Sequence, residues 1–317
     1  MEEGGNQKDI LYIGMALIDS IVREFDPVPV SVSGYRAASG TLHAGGEAVN
    51  GAVAAAKLGC TVSILCSLGE DDAGDLVMRF LEKNGVDTSC VIRSGERQTP
   101  VTTMLVEKGG KRKSVTNPAH AWNFHPERYP DPLKNRKIIT LGSLFRAPFD
   151  DPDIIYTVAK TAKENRSTLF ADTKIPNFKK LCLKDIESAL PYVDYIFPNE
   201  DEAGYYTGET DVDKMADVFL DYGVKNVIIK LGEKGSFFKN AKERLVCAPC
   251  RIDAVDATGA GDNFAAAFAA GLLAGEDHRK SMIFANACGA ICTTKEGAHA
   301  GLTDRNQVEE FLREQME

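Results

Sequence analysis

The amino-acid sequence predicts a three-layer α/β fold, in which helices cover both faces of a mainly parallel central sheet. Short β-branched runs alternate with helical periods along the chain, and no Pro- or Ser-rich linker interrupts this alternation. The chain has 317 residues, of which 44% are apolar, so a large core is available. We therefore expect one folded domain over residues 9–314 and a flexible tail over residues 1–8.

The first part of the chain contains four elements. ILYIGMALI is an apolar strand, and GEAVNGAVAAAKLG is a small-residue helix that ends at a glycine. TVSILCSLG follows as a strand, and DAGDLVMRFLEKNG follows as a second helix. This order is typical of parallel strands joined by crossover helices.

The same alternation continues through the rest of the chain. Strands are predicted at KIITLG, TLFAD, YIFPN and NVIIKLG. Helices are predicted at 152–165, near 200–222 and, as two Ala-rich helices, over 262–294.

Two segments, residues 22–42 and 98–118, interrupt the alternation. Their side chains alternate between apolar and polar, and they carry turn residues, as strands of an antiparallel flap do. We interpret them as one small β-sheet that acts as a lid; a structural β-extension with no role at the site is the alternative. The apolar strand PVTTMLV could also pair with a second copy, which would give a homodimer through the lid.

Composition excludes several classes of function. The net charge is −9 and basic residues cluster only in GGKRKS, so no nucleic-acid partner is expected. The longest apolar stretch, Phe264–Gly275, is too short for a membrane span, and the start of the chain does not resemble a secretory signal. We therefore expect a cytoplasmic protein with free thiols, in which Cys247 and Cys250 pack in the fold and do not form a redox or metal site.

The segment DATGAGD, Asp256–Asp262, carries the clearest chemical signal. Gly259 and Gly261 lack Cβ atoms, so the backbone can turn several N–H groups toward one point where a helix begins. We expect this point to hold a phosphoryl group through the amides of Ala260, Gly261 and Asp262. Asp262 would be either the N-cap of the helix or a base beside the phosphate. The P-loop, dinucleotide, HExxH and GxSxG motifs are absent.

A second cluster of small residues contains Gly45 and Gly46 and continues to Asn50. The two glycines allow a polyhydroxylated ligand to approach the backbone, and the Asn50 amide can both donate and accept hydrogen bonds. Asp19, just past the first strand, is expected at the carboxyl edge of the sheet, where α/β proteins bind ligands. A tight turn, a cap and a satisfied amide are the structural alternatives for these residues.

Four segments together resemble the ribokinase-like (PfkB) carbohydrate kinase family. GGEAVNGAVAAAKLG and DATGAGDNFAAAFAAG resemble its two signatures, in the family's order. FPNEDEAGYYTG resembles its NxxE segment, and VIIKLGEKGSFF resembles its glycine turn. The resemblance spans nearly the whole chain and implies a ribokinase-like fold and ATP-dependent phosphorylation of a hydroxyl.

The resemblance also implies roles for individual residues. Asp262 would be the catalytic base, and the anion hole would consist of Gly259, Ala260 and Gly261. ATP and Mg²⁺ would be bound by a set that comprises Asn199 and Glu202 (the Mg²⁺ through water), Lys230, Gly232, Gly235 and Asn286.

A monovalent cation, K⁺, is implied next to the anion hole. Its expected surroundings are Asp256, Thr258, Cys292 and Gly297. Gly301 falls where ribokinases tend to supply a serine hydroxyl, so we expect weak activation by K⁺. Lys295, close in sequence, would either replace the ion or point to water.

Glu47 is informative about the identity of the substrate, because many ribokinases carry Lys at this position. An acidic side chain that points inward repels a carboxylate or phosphate on the substrate, whereas one that faces solvent has no such effect. We expect a small neutral sugar, ribose- or fructose-like, ahead of a nucleoside; Arg146 and Lys174 could bind a sugar acid instead. A non-catalytic sensor of sugar or nucleotide is the alternative from a different class, and the intact Asp262 argues against it.

Overall fold

A computed structural model describes residues 8–25, 37–107, 112–117, 124–177 and 179–315. Its strands are, in chain order, β1 (Lys8–Ile13), β2 (Leu17–Phe25), β3 (Ser39–Gly45), β4 (Val62–Leu65), β5 (Ser67–Gly69), β6 (Ile92–Ser94), β7 (Val101–Glu107), β8 (Arg112–Thr116), β9 (Arg136–Leu144), β10 (Thr168–Thr173), β11 (Tyr195–Phe197), β12 (Asn226–Lys230), β13 (Ser236–Asn240) and β14 (Arg244–Cys247). Its α-helices are α1 (Glu47–Lys57), α2 (Asp72–Lys83), α3 (Pro152–Glu164), α4 (Glu200–Thr207), α5 (Val212–Asp221), α6 (Ala260–Leu273), α7 (His278–Cys292) and α8 (Arg305–Gln315). Short 3-10 helices lie at Pro126–Arg128, Asp131–Leu133, Leu183–Ile186, Leu190–Tyr192 and Gly232–Lys234.

The central sheet has eight strands in the order β14-β13-β12-β11-β10-β9-β1-β4. All neighbours from β12 to β4 are parallel, and β13 and β14 add an antiparallel hairpin at one edge. The mainly parallel sheet predicted from the sequence is therefore confirmed. The hairpin was not predicted, because its strands are short, partly exposed and preceded by a glycine turn.

Side chains of the central strands are buried on both faces. In β1, Ile10 and Tyr12 belong to one buried cluster, and Leu11 and Ile13 belong to the other. Helices α1, α2, α6, α7 and α8 contribute to the first cluster, and α3, α4 and α5 contribute to the second. This arrangement produces three layers, as expected.

Two predicted strands are each divided in two. ILYIGMALI leaves the central sheet after Ile13, and β2 begins at Leu17 in another sheet. A Cβ on Gly14 would lie 2.8 Å from Glu47 Oε1, so the chain needs a glycine where it changes direction. TVSILCSLG divides likewise into β4, in the central sheet, and β5, which pairs with β6. The prediction of single strands was wrong because hydrophobic patterns do not reveal a change of pairing partner.

The second sheet, hereafter the small sheet, has the order β3-β2-β7-β8 and is built from both interrupting segments. β2 is antiparallel to β3, and β7 is antiparallel to β8, but β2 and β7 run parallel. The expectation of a purely antiparallel sheet was therefore wrong. The reason is that β2 and β7 are the first strands of two hairpins that extend in the same direction.

The boundaries of the predicted lid and tail differ from those of the elements. The first lid strand starts at Leu17 and not at residue 22, and Lys8, assigned to the tail, is the first residue of β1. Residues 1–7 of the predicted tail, and 26–36, 108–111 and 118 of the predicted lid, lie outside the described residues. In the ranges that the structure describes, no helix is long and apolar enough to cross a membrane. All eight cysteines are free.

Candidate active site

The turn predicted to bind an anion, Asp256–Asp262 (hereafter the anion-binding turn), leads into α6. Gly259 is the N-cap residue of this helix, with a left-handed φ of 77°. A Cβ on Gly259 would lie 2.3 Å from Ala298 Cβ, so a glycine is required here for space as well as for conformation. Asp262 is the third residue of the helix, so the alternative that Asp262 is the N-cap is wrong. The helix begins before Asp262 because Gly259 can adopt the left-handed conformation.

Two of the three predicted amides remain available at this turn. The Ala260 N–H donates to the Ala257 carbonyl at 3.2 Å, which closes the turn. The N–H groups of Gly261 and Asp262 lie in the first helical turn, where the helix itself provides no acceptor. An anion at this helix start would therefore meet two backbone donors and the positive end of the helix dipole.

Lys230 adds a positive charge at the same place. A Cβ on Gly261 would lie 3.1 Å from Lys230 Nζ, so the ammonium lies directly against the start of α6. Lys230 Nζ also lies 2.8 Å from Asp172 Oδ1, and the side chains are only 13% and 9% exposed. Sequence reasoning missed Asp172, although an aspartate at the end of the predicted strand TLFAD was a usable signal.

Asp262 and Asn50 are brought together by the packing of α1 against α6. Asn50 Nδ2 donates to Asp262 Oδ2 at 2.7 Å. Burial raises the pKa of Asp262, whereas Lys174, Lys230 and the hydrogen bond from Asn50 act in the opposite direction. Asn50 is thus not simply a satisfied amide, since its Oδ1 is buried without a partner among the described residues.

The Glu47 side chain points inward. Its Oε1 accepts a hydrogen bond from the Met15 N–H at 2.9 Å. A Cβ on Gly14 or Gly142 would lie within 2.8 Å of that oxygen, so both glycines make room for the carboxylate. Burial of the carboxylate raises the pKa of Glu47 to about 7. The residue as a whole is partly exposed, and Oε1 is the carboxylate oxygen that points inward.

Asp19 and the two glycines form a neighbouring group. Asp19 lies within β2, opposite His43, and a Cβ on Gly45 would lie 2.5 Å from its Oδ2. The expected position just past a central strand was wrong, because the chain enters the small sheet after Ile13. Burial raises the pKa of Asp19, and His43 opposes this rise. Gly46 is the N-cap of α1 with a φ of 98°, and a Cβ there would lie 2.4 Å from the Met15 carbonyl oxygen.

Asn199 and Glu202 form a capping box at the start of α4. The Asn199 side chain accepts from the Glu202 N–H at 2.8 Å, and Glu202 Oε2 accepts from the Asn199 N–H at 3.0 Å. Thr173 Oγ1 also donates to Glu202 Oε2 at 3.0 Å. Glu202 Oε1 has no hydrogen-bond partner within the described part of the chain. Burial, then Asp172, raises the pKa of Glu202, and Lys230 opposes this rise.

The remaining predicted nucleotide residues lie just after β12 and on α7. Gly232 and Gly235 have φ values of 59° and 91° in the β12–β13 connection. A Cβ on Gly235 would lie 2.1 Å from the Cys247 carbonyl oxygen, so only glycine fits. Asn286 Nδ2 donates to the Ala248 carbonyl at 3.2 Å, which joins α7 to the segment after β14.

The predicted cation site is organised around Asp256. Its carboxylate accepts from the Thr258 N–H at 3.0 Å, from Thr258 Oγ1 at 2.7 Å and from the Gly297 N–H at 3.0 Å. The Cys292 thiol donates to the Thr258 carbonyl at 3.5 Å. Of the four predicted residues, Thr258, Gly297 and Cys292 therefore do contact one another or Asp256.

Two further residues define the surroundings of this site. A Cβ on Gly301 would lie 2.3 Å from the Ile291 carbonyl oxygen and 2.8 Å from that of Cys292, so a serine does not fit without movement. Lys295 is exposed. Among the described residues, the cation that pairs with Asp256 is instead Arg23 of β2, whose guanidinium Nη2 lies 3.8 Å from Asp256 Oδ2. No sequence signal pointed to Arg23.

Arg146 and Lys174 lie on the side of Glu47 and Glu202. Arg146 Nε donates to the Ile175 carbonyl at 2.7 Å, and burial lowers its pKa. Burial also lowers the pKa of Lys174, but nearby carboxylates outweigh it and raise the pKa overall; Asp262 and Asp172 contribute most. Both residues are therefore cations close to the site.

Comparison with known proteins shows that the chain is a phosphotransferase whose acceptor is a hydroxyl group. The chain belongs to the pfkB family of carbohydrate kinases, whose model matches residues 8–305. The resemblance noted in the sequence is therefore confirmed.

Relatives of known name illustrate the range of substrates. The chain is 29% identical over 274 residues to ribokinase of Haemophilus influenzae, covering 84% of this chain and 87% of that one. It is 31% identical over 274 residues to ATP-dependent ribose-1-phosphate kinase of Halopiger xanaduensis, covering 86% of this chain and 88% of that one. The structure of Arabidopsis thaliana ribokinase complexed with ribose and ATP has a TM-score of 0.83 at 25% identity, covering 96% of this chain and 99% of that one.

Proposed function

We propose that this carbohydrate kinase transfers the γ-phosphate of ATP to a hydroxyl of a small neutral sugar, ribose- or fructose-like, with Asp262 as the base. One observation carries the proposal: Asp262 and the anion-binding amides lie in the same first turn of α6. A hydroxyl that gives its proton to Asp262 would therefore lie beside a phosphate held at this helix start.

The charges around the turn support phosphoryl transfer. This reaction depends mainly on positioning and on neutralising the charge of the transferred group. The N–H groups of Gly261 and Asp262 and the ammonium of Lys230 converge there, and Gly259 and Ala260 complete the turn. We assign the anion hole to this group.

We assign the nucleotide and its metal to the start of α4 and the β12–β13 connection. Bound Mg²⁺ would neutralise phosphate charge, and this ion prefers oxygen ligands and keeps several waters. Glu202 Oε1 fits this chemistry, since only Oε2 is used by the capping box and Thr173. Asn199 would act by holding Glu202 in place. Among the described residues no cluster of three His, Cys, Asp or Glu side chains suits a metal ion. The remaining nucleotide contacts would come from Lys230, Gly232, Gly235 and Asn286.

The choice of a neutral sugar rests on Glu47 and Asp19. The Asp19 carboxyl lies close to Gly45, one of the two glycines that precede α1, and the Glu47 carboxyl is enclosed between Gly14 and Gly142. A phosphate or carboxylate on the substrate would meet unfavourable charge there whenever these groups are ionised. Hydroxyl groups could instead donate to the carboxylates and accept from backbone N–H groups.

A sugar acid is the alternative that particular side chains support, because Lys174 and Arg146 are cations near the same site. A nucleoside is the second alternative, since none of the described residues at the site excludes it. The relative from Halopiger xanaduensis is named for a phosphorylated sugar, a substrate class that Glu47 disfavours in this chain.

The substrate assignment is tested by measuring ATP consumption with a panel of compounds. We expect the highest kcat/KM with a neutral pentose or ketohexose, and lower values with ribose 1-phosphate, a 2-keto-3-deoxy sugar acid and nucleosides. A preference for the phosphorylated sugar or for the acid would overturn the neutral-sugar assignment.

The catalytic assignment is tested with Asp262→Asn, which keeps the shape of the side chain but removes the proton acceptor. We expect turnover to fall by roughly 10² to 10⁴ with little change in ATP affinity. Asp221→Asn, at the exposed end of α5, is the matched control and should keep normal turnover. Near-normal turnover of Asp262→Asn would show that Asp262 is not the base, and loss of ATP binding would point to a structural role.

A further inference from the structure

Asn50 is fixed in place before any ligand binds. It is the fourth residue of α1, its backbone N–H donates to the Gly46 carbonyl at 2.9 Å, and the residue is only 8% exposed. Its side chain reaches across to α6, where Nδ2 donates to Asp262 Oδ2 at 2.7 Å. A buried side chain on a regular helix has few alternative positions, so this contact restrains the carboxylate.

The contact also determines the orientation of the Asn50 amide. An ionised carboxylate only accepts hydrogen bonds, so the NH₂ group must face Asp262 and Oδ1 must face away from it. Asn50 Oδ1 is buried and finds no donor among the residues that the structure describes. A buried acceptor without a protein partner is uncommon in native proteins, and such an acceptor can receive a hydrogen bond from water or from a ligand.

We propose that Asn50 is a positioning residue for the base: its amide N–H holds Asp262 Oδ2 so that Asp262 Oδ1 faces the acceptor hydroxyl. This inference rests on the proposed role of Asp262. Among the described residues, Oδ1 of Asp262 makes no hydrogen bond, so it remains free to take the proton. The unpartnered Oδ1 of Asn50 can accept a second hydroxyl of the same sugar.

The hydrogen bond matters because many charged or titratable groups face Asp262. Burial disfavours its ionised form, and the Asn50 N–H is a donor that favours it. The charged or titratable groups that face Asp262 lie on β1, α1, β10, β12 and α7 and at the residue that follows β10. They are Tyr12, Glu47, Asp172, Lys174, Lys230 and Cys292. Removing the Asn50 donor should therefore make Asp262 harder to ionise and less well oriented.

The test compares Asn50→Asp with wild type across a pH series. Aspartate has the shape of asparagine but cannot donate when ionised, and it adds a like charge beside Asp262. We expect kcat at neutral pH to fall roughly 10- to 100-fold, and the acidic limb of the kcat profile to move to higher pH, with the KM for ATP little changed. Asn50→Ala removes the donor without adding charge, and it should move the limb in the same direction by less.

The outcomes separate a positioning role from simple sugar binding. If both variants raise only the KM for sugar and leave the pH profile of kcat unchanged, the inference is wrong. Thermal unfolding monitors the fold, and Asn50→Ala carries the test if Asn50→Asp does not fold. The result is distinguishable from failure of the proposed function, because Asp262→Asn tests the base and the substrate panel tests the sugar, and neither measurement depends on Asn50.

Discussion

The guanidinium of Arg23 lies 3.8 Å from the carboxylate of Asp256 and joins the small sheet to the loop before the anion-binding turn. Arg23 Nε also lies 3.5 Å from Glu296 Oε2, in the loop on the opposite side. Because Asp256 is fixed by Thr258 and Gly297, the position of β2 is coupled electrostatically to the turn that begins α6. A permanent cation thus occupies the vicinity in which K⁺ was expected.

This pair leads to a prediction about monovalent cations. We expect K⁺, titrated into an assay in tetramethylammonium buffer, to activate only a few-fold and at high concentration, because Arg23 already offsets the charge of Asp256. Arg23→Gln should increase the dependence on K⁺, whereas Lys295→Gln, at an exposed position, should not change it. A flat response of the wild type would show that no ion acts there, and an all-or-none response at low K⁺ would show that Arg23 does not substitute for it.

The small sheet should close over the bound sugar. Strand β7 is only partly buried and β8 is mostly exposed, and closure would exclude water that competes as phosphoryl acceptor. We expect amide hydrogen exchange in residues 101–107 and 112–117 to slow when sugar is added. Helix α5, which packs in the second buried cluster, is the internal control, and its exchange should not change. Unchanged exchange in the small sheet would show that it is a structural extension and not a lid.

Glu47 should make stability depend on pH. In the unfolded chain this carboxyl ionises near pH 4.5, whereas in the folded protein its pKa is about 7. Between these values the unfolded state loses the proton first, so the free energy of unfolding falls as pH rises. We expect Glu47→Gln, which keeps the acceptor for the Met15 N–H, to gain stability relative to wild type over this range.

The size of that gain follows from about 1.4 kcal/mol per pKa unit, so it should reach at most about 3.5 kcal/mol. Urea denaturation at a series of pH values measures it. Glu310→Gln, at an exposed position of α8, is the matched control, and its free energy of unfolding should depend on pH as that of the wild type does. A Glu47→Gln curve that also runs parallel to wild type would contradict the prediction.

The ion pair between Lys230 and Asp172 should matter for both stability and catalysis. Lys230→Met removes the ammonium that pairs with the buried Asp172 carboxylate, which should cost up to about 3–5 kcal/mol of unfolding free energy, because Lys174 is the cation that then remains near Asp172. The KM for ATP should rise as well, because a positive charge beside Gly261 is lost. Lys234→Met, which breaks an exposed pair with Glu200, should change stability far less. Equal effects of the two substitutions on stability, measured by chemical denaturation, would show that burial of the pair is unimportant.

The sequence alone indicated the family and most strands and helices of the central layers, but not the β13–β14 hairpin or helix α8. It also named most of the residues that we assign to the site. Helical periods, β-branched runs and glycine turns are local features, so they can be read without knowing the fold. The capping box of Asn199 and Glu202 was also readable, because its two residues are three positions apart.

Only the tertiary structure decided which of these residues meet. Asn50 and Asp262 are separated by 212 positions, and their contact depends on how α1 packs against α6. The parallel pairing of β2 with β7, the approach of Arg23 to Asp256 and the inward direction of Glu47 depend likewise on sheet order and on glycines at close contacts. Such contacts between distant segments depend on packing and on chain direction, and the local pattern of one segment does not specify either of them.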